Sequence, residues 1–144
     1  MPVETSKKNA EGYPDPTAAD AVEKISAEER RAAKRSFRPL AYICSPYRGN
    51  VSVNEENARK YCRFAVKSGY IPIAPHLFFP QFMDDSDPAE RDTAVFMDFV
   101  LMGKCHEVWV FGSVISRGMA SEIGLAKKRN QKIRCFDTDM REVT

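Results

Sequence analysis

Short apolar runs alternate with helical patterns from residue 39 onward, and this alternation constrains the fold more than any other feature. The run Leu40–Cys44 is continuously apolar, which is typical of a strand buried on both faces. Further strands are predicted at 70–74, 108–111 and 132–136, and helices at 54–67, 88–102 and 119–129. Strands separated by helices pair in parallel and are covered on both sides. The sequence therefore predicts a three-layer α/β domain, Rossmann-like or flavodoxin-like, with a small parallel sheet of about four to five strands and helices on both faces.

Two of these elements carry more specific signals. Pro72 lies within the second strand and lacks an amide hydrogen, so this strand is expected at an edge of the sheet. Asp87 before Pro88 predicts the start of a helix, with the aspartate as N-cap. The helix that follows is apolar nearly all round, which predicts that it is buried. The segment around His76, between these two elements, is predicted to be a loop.

Residues 1–37 differ from the rest because they contain three prolines and few large apolar side chains. The stretch Ser26-Ala27-Glu28-Glu29 has the pattern of a capping box and predicts a short charged helix that runs to about Ser36. We therefore expect a polar, solvated N-terminal extension over 1–37, for which docking on the domain or on a neighbouring subunit is open, and a single domain over 38–144.

Composition and charge exclude several classes of function. With 43% hydrophobic and 29% charged residues, the chain has the composition of a globular protein. Its net charge of +2 arises from basic and acidic residues that are interleaved, which indicates no nucleic-acid surface. No apolar run approaches the roughly 18 residues of a membrane span, and the N-terminus has no signal-peptide core, so we expect no membrane partner and a cytoplasmic location.

The four cysteines are widely spaced and form no Cys-x-x-Cys pair. Each lies in a predicted strand or helix, where cysteine acts as a small hydrophobe, so we expect reduced thiols. His76, Cys105 and His106 match no structural zinc spacing, and no fourth ligand is evident, so no metal is expected.

Two carboxylates are predicted on inward helix faces, Glu122 and Asp98. The positions three and four residues from Glu122 are Gly118, Met119, Leu125 and Ala126, and those around Asp98 are Ala94, Val95, Leu101 and Met102. A buried charge is costly unless something pairs with it or the site uses it. Both residues are therefore candidates for catalysis. The alternatives are a glutamate favoured by the helix dipole and an aspartate satisfied by backbone amides or an arginine.

The segment Ser45–Asn50 follows the first strand, where doubly wound folds bind ligands. Within it, Gly49 allows a close backbone approach and Arg48 offers a fork for a phosphate or carboxylate. Ser116 and Gly118 begin the third helix, where free amides can bind an anion. An ordinary turn and an ordinary N-cap are the alternatives. Neither a P-loop nor a dinucleotide fingerprint occurs.

Aromatic and imidazole side chains lie near the same predicted edge of the sheet. Tyr47, Phe78 and Phe79 could stack on a planar base, although aromatic residues in loops also cover the edge of a core. His76 follows a strand and could bind a ligand or cap that strand.

These residues together resemble the nucleoside 2-deoxyribosyltransferase-like superfamily, which includes the 2'-deoxynucleoside 5'-phosphate N-hydrolases and uncharacterised phage-associated relatives. The segment Tyr42-Ile43-Cys44-Ser45-Pro46-Tyr47-Arg48-Gly49 is similar to the family's first strand and substrate loop. Asp98 precedes the glutamate at a similar distance. The segment Ser116-x-Gly118-x-x-x-Glu122-Ile123-Gly124-x-Ala126 is similar to the nucleophile segment, and the resemblance spans about residues 39 to 136.

The resemblance implies a role for each matched residue. Glu122 would attack the anomeric carbon, and Asp98 would position the sugar or help to protonate the departing base. The implied substrate-binding residues are Tyr42, Ser45, Tyr47, Arg48, Gly49, His76, Ser116 and Gly118. Arg48 and Ser116 match positions that hold the 5'-phosphate in the phosphohydrolase branch. Pro46 stands where that branch has a phosphate-binding serine, which leaves a phosphorylated and a free nucleoside both open.

The expected function is cleavage or transfer of the N-glycosidic bond of a (deoxy)nucleoside or nucleotide, with hydrolysis favoured. The resemblance implies a small-molecule substrate, a homo-oligomer, and no metal or organic cofactor. Two alternatives remain from the sequence: a non-catalytic module that binds nucleotides or nucleotide sugars, and an enzyme that cleaves NAD in the manner of a glycohydrolase.

Overall fold

The computed structural model describes residues 16–34 and 37–144. Helix α1 spans Pro16–Lys34 and belongs to one compact unit, whereas Arg38–Thr144 forms another. Because α1 begins at Pro16, the prediction that a helix starts at Ser26 is wrong. A proline is well suited to the first turn of a helix, and the alanine-rich residues 17–21 extend the helix ahead of the apparent capping box. The predicted end near Ser36 lies outside the described residues.

The second unit alternates strands and helices around one sheet. Its elements are β1 (Leu40–Cys44), α2 (Val51–Lys67), β2 (Ile71–Ile73), α3 (Pro75–Phe78), α4 (Pro88–Gly103), β3 (Glu107–Phe111), α5 (Arg117–Lys128), β4 (Lys132–Phe136) and β5 (Glu142–Val143). The strand order is β2-β1-β3-β4-β5, and all neighbours are parallel except β5, which runs antiparallel to β4. The predicted α/β fold is confirmed, and β2, which contains Pro72, lies at an edge as expected.

Side chains alternate along the strands, so each strand places apolar residues on both faces of the sheet. Helices cover both faces. Ala41 and Ile43 of β1 point to an aromatic cluster beneath α2. The other buried members of this cluster are Tyr61, Ala65, Trp109, Phe111 and Phe136. Tyr42 and Cys44 point to the opposite face, where they pack with Met102, Cys105, Val108, Val110, Met119 and Ala126. This second face, covered by α4 and α5, contains both predicted carboxylates.

The segment after β2 is helical, so its prediction as a loop is wrong. Helix α3 begins with Pro75, and a 3₁₀ turn over Phe79–Gln81 follows it directly. In both turns a proline occupies one of the first two helical positions, where its fixed φ favours a helix start. His76 therefore lies on a short helix.

Helix α4 begins as predicted, with Asp87 accepting a hydrogen bond from the Ala89 amide at 3.0 Å. Its predicted burial is wrong. Val95, Phe96 and Val100 are 41%, 58% and 45% exposed. A helix that packs on a sheet buries one stripe, so an all-round apolar helix leaves its other side uncovered by the described residues.

Candidate active site

Glu122 lies on α5 and its carboxylate is held by two side chains of β1. The Tyr42 hydroxyl donates to Oε2, and the Cys44 thiol donates to Oε1 at 3.7 Å. Tyr42 and Cys44 are two residues apart on one strand, so both side chains point to the same face. The glutamate itself is half-buried, and each of its two oxygens has a donor.

Asp98 lies on α4, near enough to Glu122 for the glutamate's charge to act on it. Its Oδ1 atom is buried and has no hydrogen-bond partner among the described residues. Nearly all buried polar atoms in proteins are paired, so an unpaired carboxylate oxygen is a position at which a ligand donor would be stabilised.

Burial changes the proton affinity of both carboxylates. It raises the pKa of Glu122 to about 7, although the hydrogen bonds from Tyr42 and Cys44 act in the opposite direction. Burial and then the charge of Glu122 raise the pKa of Asp98 to about 7. Two such groups titrate as a pair, which holds one proton over a range of pH near neutrality. Because donors reach Glu122 and none is found for Asp98 Oδ1, the charge is stabilised on Glu122 and the proton on Asp98.

The loop after β1 contributes a second pair of polar groups. Ser45 is buried, and its Oγ lies 3.0 Å from Nε2 of His76. Burial lowers the pKa of His76 to about 4, so the imidazole is neutral at pH 7. The ring of Tyr47 meets the ring of His76 edge-on at 6.4 Å. Of the predicted residues, His76 therefore contacts both Ser45 and Tyr47.

Asn54 holds this loop in place from the first turn of α2. Its Nδ2 donates to the carbonyl oxygens of Tyr47 at 3.0 Å and Arg48 at 2.9 Å. Gly49 adopts a φ of +95°, which is strained for any residue with a side chain. The loop therefore has a fixed backbone, for which the glycine is needed.

Arg48 forms an ion pair with a carboxylate of the protein itself. Its Nε and one terminal nitrogen donate to Oδ2 of Asp85 at 3.1 and 3.0 Å. Both side chains are about half exposed, at 52% and 44%. A phosphate that binds the Arg48 guanidinium would therefore compete with the Asp85 carboxylate.

Ser116 is the N-cap of α5, and its Oγ accepts a hydrogen bond from the Met119 amide at 3.2 Å. Gly118, in the first turn, has open space around it, since a Cβ placed there would meet no atom within 4 Å. Ser116 is thus an N-cap, a role that is compatible with an anion bound at the same end of the helix.

A pocket of about 140 Å³ lies beyond the carboxyl ends of the strands. Ser45 and Pro46 after β1, Gly112 and Ser113 after β3, and Thr138 after β4 contribute to its lining. Tyr61 and Phe111 of the aromatic cluster on the α2 face also line it, whereas Glu122 and Asp98 do not. The crevice between β1 and β3 is where open α/β sheets bind their ligands. No charged side chain of the described residues lines the pocket, so it is suited to an uncharged part of a ligand.

Two contacts of the site were missed by sequence reasoning. Cys44 was interpreted only as a small hydrophobe, although its position two residues after Tyr42 on a strand indicated a shared face. Asp85 has no local signal that pairs it with Arg48, which is 37 positions away.

Within the described part of the chain, no group of three or more His, Cys, Asp and Glu residues is arranged to hold a metal ion. All four cysteines are free thiols. Every helix in residues 16–34 and 37–144 is too short or too polar to span a bilayer.

Comparison with known proteins identifies a family and a fold. A family model described as "Domain of unknown function (DUF7768)" matches residues 39–136. The chain is similar in structure to "2-desoxiribosyltransferase from Leishmania mexicana", with 15% sequence identity and a TM-score of 0.50. The alignment covers 69% of this chain and 64% of that chain, and at this identity it shows the fold alone. No curated protein matches.

Proposed function

The chain belongs to the family described as "Domain of unknown function (DUF7768)", and we propose that it cleaves the N-glycosidic bond of a (deoxy)nucleoside or nucleotide. The observation that carries this proposal is the unequal environment of its two carboxylates. Hydrogen-bond donors stabilise the charge on Glu122, whereas the buried Oδ1 atom of Asp98 has no partner among the described residues. One charged and one protonated carboxyl group near neutral pH is the pair that retaining glycoside chemistry requires.

In this reaction, Glu122 attacks the anomeric carbon and forms a covalent bond to the sugar. The bond from that carbon to the base nitrogen breaks, and its electron pair leaves with the base, which takes the proton from Asp98. A water molecule then attacks the same carbon, gives its proton to Asp98 and releases Glu122. A second base in place of water would give transfer instead of hydrolysis.

The structural neighbour supports a nucleoside or nucleotide as the substrate. Its name describes a 2-desoxiribosyltransferase, and the two proteins share a fold at a TM-score of 0.50. Arg48 is the candidate for a phosphate, although Asp85 must then be displaced. Tyr47, His76, Ser116 and Gly118 are proposed to complete the substrate site.

We also propose that the protein forms a homo-oligomer through α4. Val95, Phe96 and Val100 expose an apolar surface on this helix. Contiguous apolar surface of this kind is a common mark of a protein–protein interface. Sedimentation of the protein at several concentrations, compared with a Phe96→Ser variant, would show whether this surface self-associates.

The proposed function is tested by incubating the protein with deoxynucleosides, their 5'-monophosphates, ribonucleosides and NAD, and measuring free base by chromatography. We expect wild type to release base from a nucleoside or nucleotide, and Glu122→Ala to lose at least about 1,000-fold in rate, because the nucleophile is gone.

Glu107→Gln is the matched control, since Glu107 is also a buried glutamate that accepts a tyrosine hydroxyl, at 2.8 Å from Tyr70. The folded control should retain wild-type rates. If no substrate releases base while a nucleotide raises the melting temperature, the chain is a binding module and the enzymatic proposal is wrong.

A further inference from the structure

The two oxygens of Glu122 are held by different donors from the same strand. Tyr42 and Cys44 are 1% and 0% exposed, so water does not compete for either hydrogen bond. The Tyr42 hydroxyl reaches Oε2 and the Cys44 thiol reaches Oε1. A carboxylate with one donor on each oxygen cannot rotate freely about its terminal bond.

The two donors differ in strength. A phenol hydroxyl is a strong donor and a thiol is a weak one, so charge is drawn toward Oε2 and Oε1 keeps more of its nucleophilicity. Burial raises the pKa of the Cys44 thiol above its ordinary value, which keeps the sulfur protonated. Cys44 therefore serves as a donor to the carboxylate and does not compete with it as a thiolate.

We propose that Cys44 is a positioning residue whose thiol fixes the orientation of the Glu122 carboxylate and leaves Oε1 as the attacking oxygen. This inference rests on the proposed function, because it assigns an atom to the first step of that reaction. The titratable groups that face Glu122 are Tyr42 and Cys44 from β1 and Asp98 from α4. The residues that β3 places in this cluster are valines.

The test compares Cys44→Ala with Cys44→Ser. The titration of Glu122 is followed by carbon-13 NMR of labelled glutamate, with its signal assigned by its loss in Glu122→Gln. Alanine removes a donor to the charged form, so we expect the Glu122 midpoint to rise by about half a pH unit. Serine supplies a stronger donor, so we expect the midpoint to fall below that of wild type.

Catalysis provides a second readout. We expect Cys44→Ala to lower kcat by about 3- to 10-fold at the pH optimum with KM unchanged, because the substrate still binds and only the orientation of the nucleophile is lost. The acidic limb of its pH–rate profile should move upward with the NMR midpoint.

Cys105 is the matched control. It is a buried thiol in the same cluster as Cys44, and its Sγ donates to the Leu101 carbonyl oxygen at 3.4 Å instead of to a carboxylate. Cys105→Ala and Cys105→Ser should leave the Glu122 midpoint and kcat unchanged. If Cys44→Ala does not fold, Cys44→Ser against Cys105→Ser gives the same test.

Three results would overturn the inference: a Cys44→Ala protein that titrates like wild type, equal shifts in the Ala and Ser variants, or equal shifts in the Cys105 variants. The two readouts also separate this inference from the proposed function. Shifted midpoints without base release from any substrate support the orientation of Glu122 by Cys44 and contradict the proposed reaction. If wild type releases base and Cys44→Ala is unaltered in both readouts, only the inference about Cys44 is contradicted and the proposed reaction stands.

Discussion

Two glutamate side chains lie on opposite faces of the sheet, and both accept a hydrogen bond from a tyrosine hydroxyl. Glu107, on the α2 face, also accepts bonds from Trp109 Nε1 at 2.9 Å and from Arg134 at 3.5 Å. Burial alone would raise its pKa, but these bonds, the Tyr70 hydroxyl and nearby cations hold that pKa below its ordinary value. Glu122, on the opposite face, forms no ion pair among the described residues, and its pKa is raised.

The comparison shows what separates a buried carboxylate with a lowered pKa from one with a raised pKa. Both glutamates have a tyrosine partner, so the hydroxyl does not decide the outcome. The Trp109 donor makes most of the difference, followed by the charge of Lys132 and the Arg134 guanidinium, because additional donors and cations offset the cost of removing a charge from water. Without a cation, burial leaves Glu122 with a proton affinity matched to neutral pH, which is the condition that acid–base and nucleophilic chemistry need.

The largest expected effect belongs to the structural glutamate. Glu107→Gln removes the charge that the Arg134 guanidinium and the Trp109 and Tyr70 donors stabilise, so we expect it to lower the free energy of unfolding by about 2–4 kcal/mol at pH 7. The folded pKa of Glu107 is depressed, so its contribution is present above the unfolded pKa and is lost as the pH falls through the folded one.

Urea denaturation at pH 7 and at low pH measures this difference. The effect of Glu107→Gln should shrink toward low pH, where wild type also loses the charge. A variant as stable as wild type at pH 7 would show that the Glu107 network contributes nothing to stability. Glu107 would then not be a structural residue, and the contrast with Glu122 would be wrong.

Glu122 should behave in the opposite way. Its folded pKa is about 7, above the ordinary value of 4.5, so the folded state binds the proton more tightly than the unfolded state. Stability therefore falls as the pH rises from about 4.5 to 7. We expect Glu122→Gln to raise the free energy of unfolding by about 1–2 kcal/mol at pH 8, and the gain to disappear at pH 4.

The same denaturation series at pH 8 and pH 4 tests this expectation. Glu107→Gln is the comparison variant, because its free energy of unfolding is expected to fall instead of rise. A Glu122→Gln protein that is less stable than wild type at pH 8 would contradict it. Such a result would place Glu122 with Glu107 as a structural residue.

Much of this contrast could be predicted from the sequence, because it depends on periodicity. The run at β1 and the helical spacing around Glu122 placed that carboxylate on an inward face. The edge position of β2 followed from Pro72, and the start of α4 followed from Asp87. These features are encoded by neighbours in the chain, and local patterns are the most dependable sequence signal.

The features that were missed depend on partners that are distant in sequence. Glu107 and Arg134 are 27 positions apart and meet only because β3 pairs with β4. The two-residue strand β5, whose Glu142 also binds Arg134, is too short to show a period. Helix α4 has an apolar pattern that does not say which neighbour covers each side, so its exposed surface could not be predicted.

The smallest expected effect is at the exposed pair of Arg48 and Asp85, which has neither the burial of Glu122 nor the network of Glu107. Both side chains are about half exposed, at 52% and 44%, so solvent screens their attraction. We expect Asp85→Ala to change the free energy of unfolding by less than about 0.5 kcal/mol. Its effect should instead be seen in substrate choice, because the freed Arg48 guanidinium becomes available to a phosphate. The ratio of base release from 5'-monophosphates to that from nucleosides should rise in Asp85→Ala and fall in Arg48→Ala, and an unchanged ratio in both variants would remove Arg48 from the site.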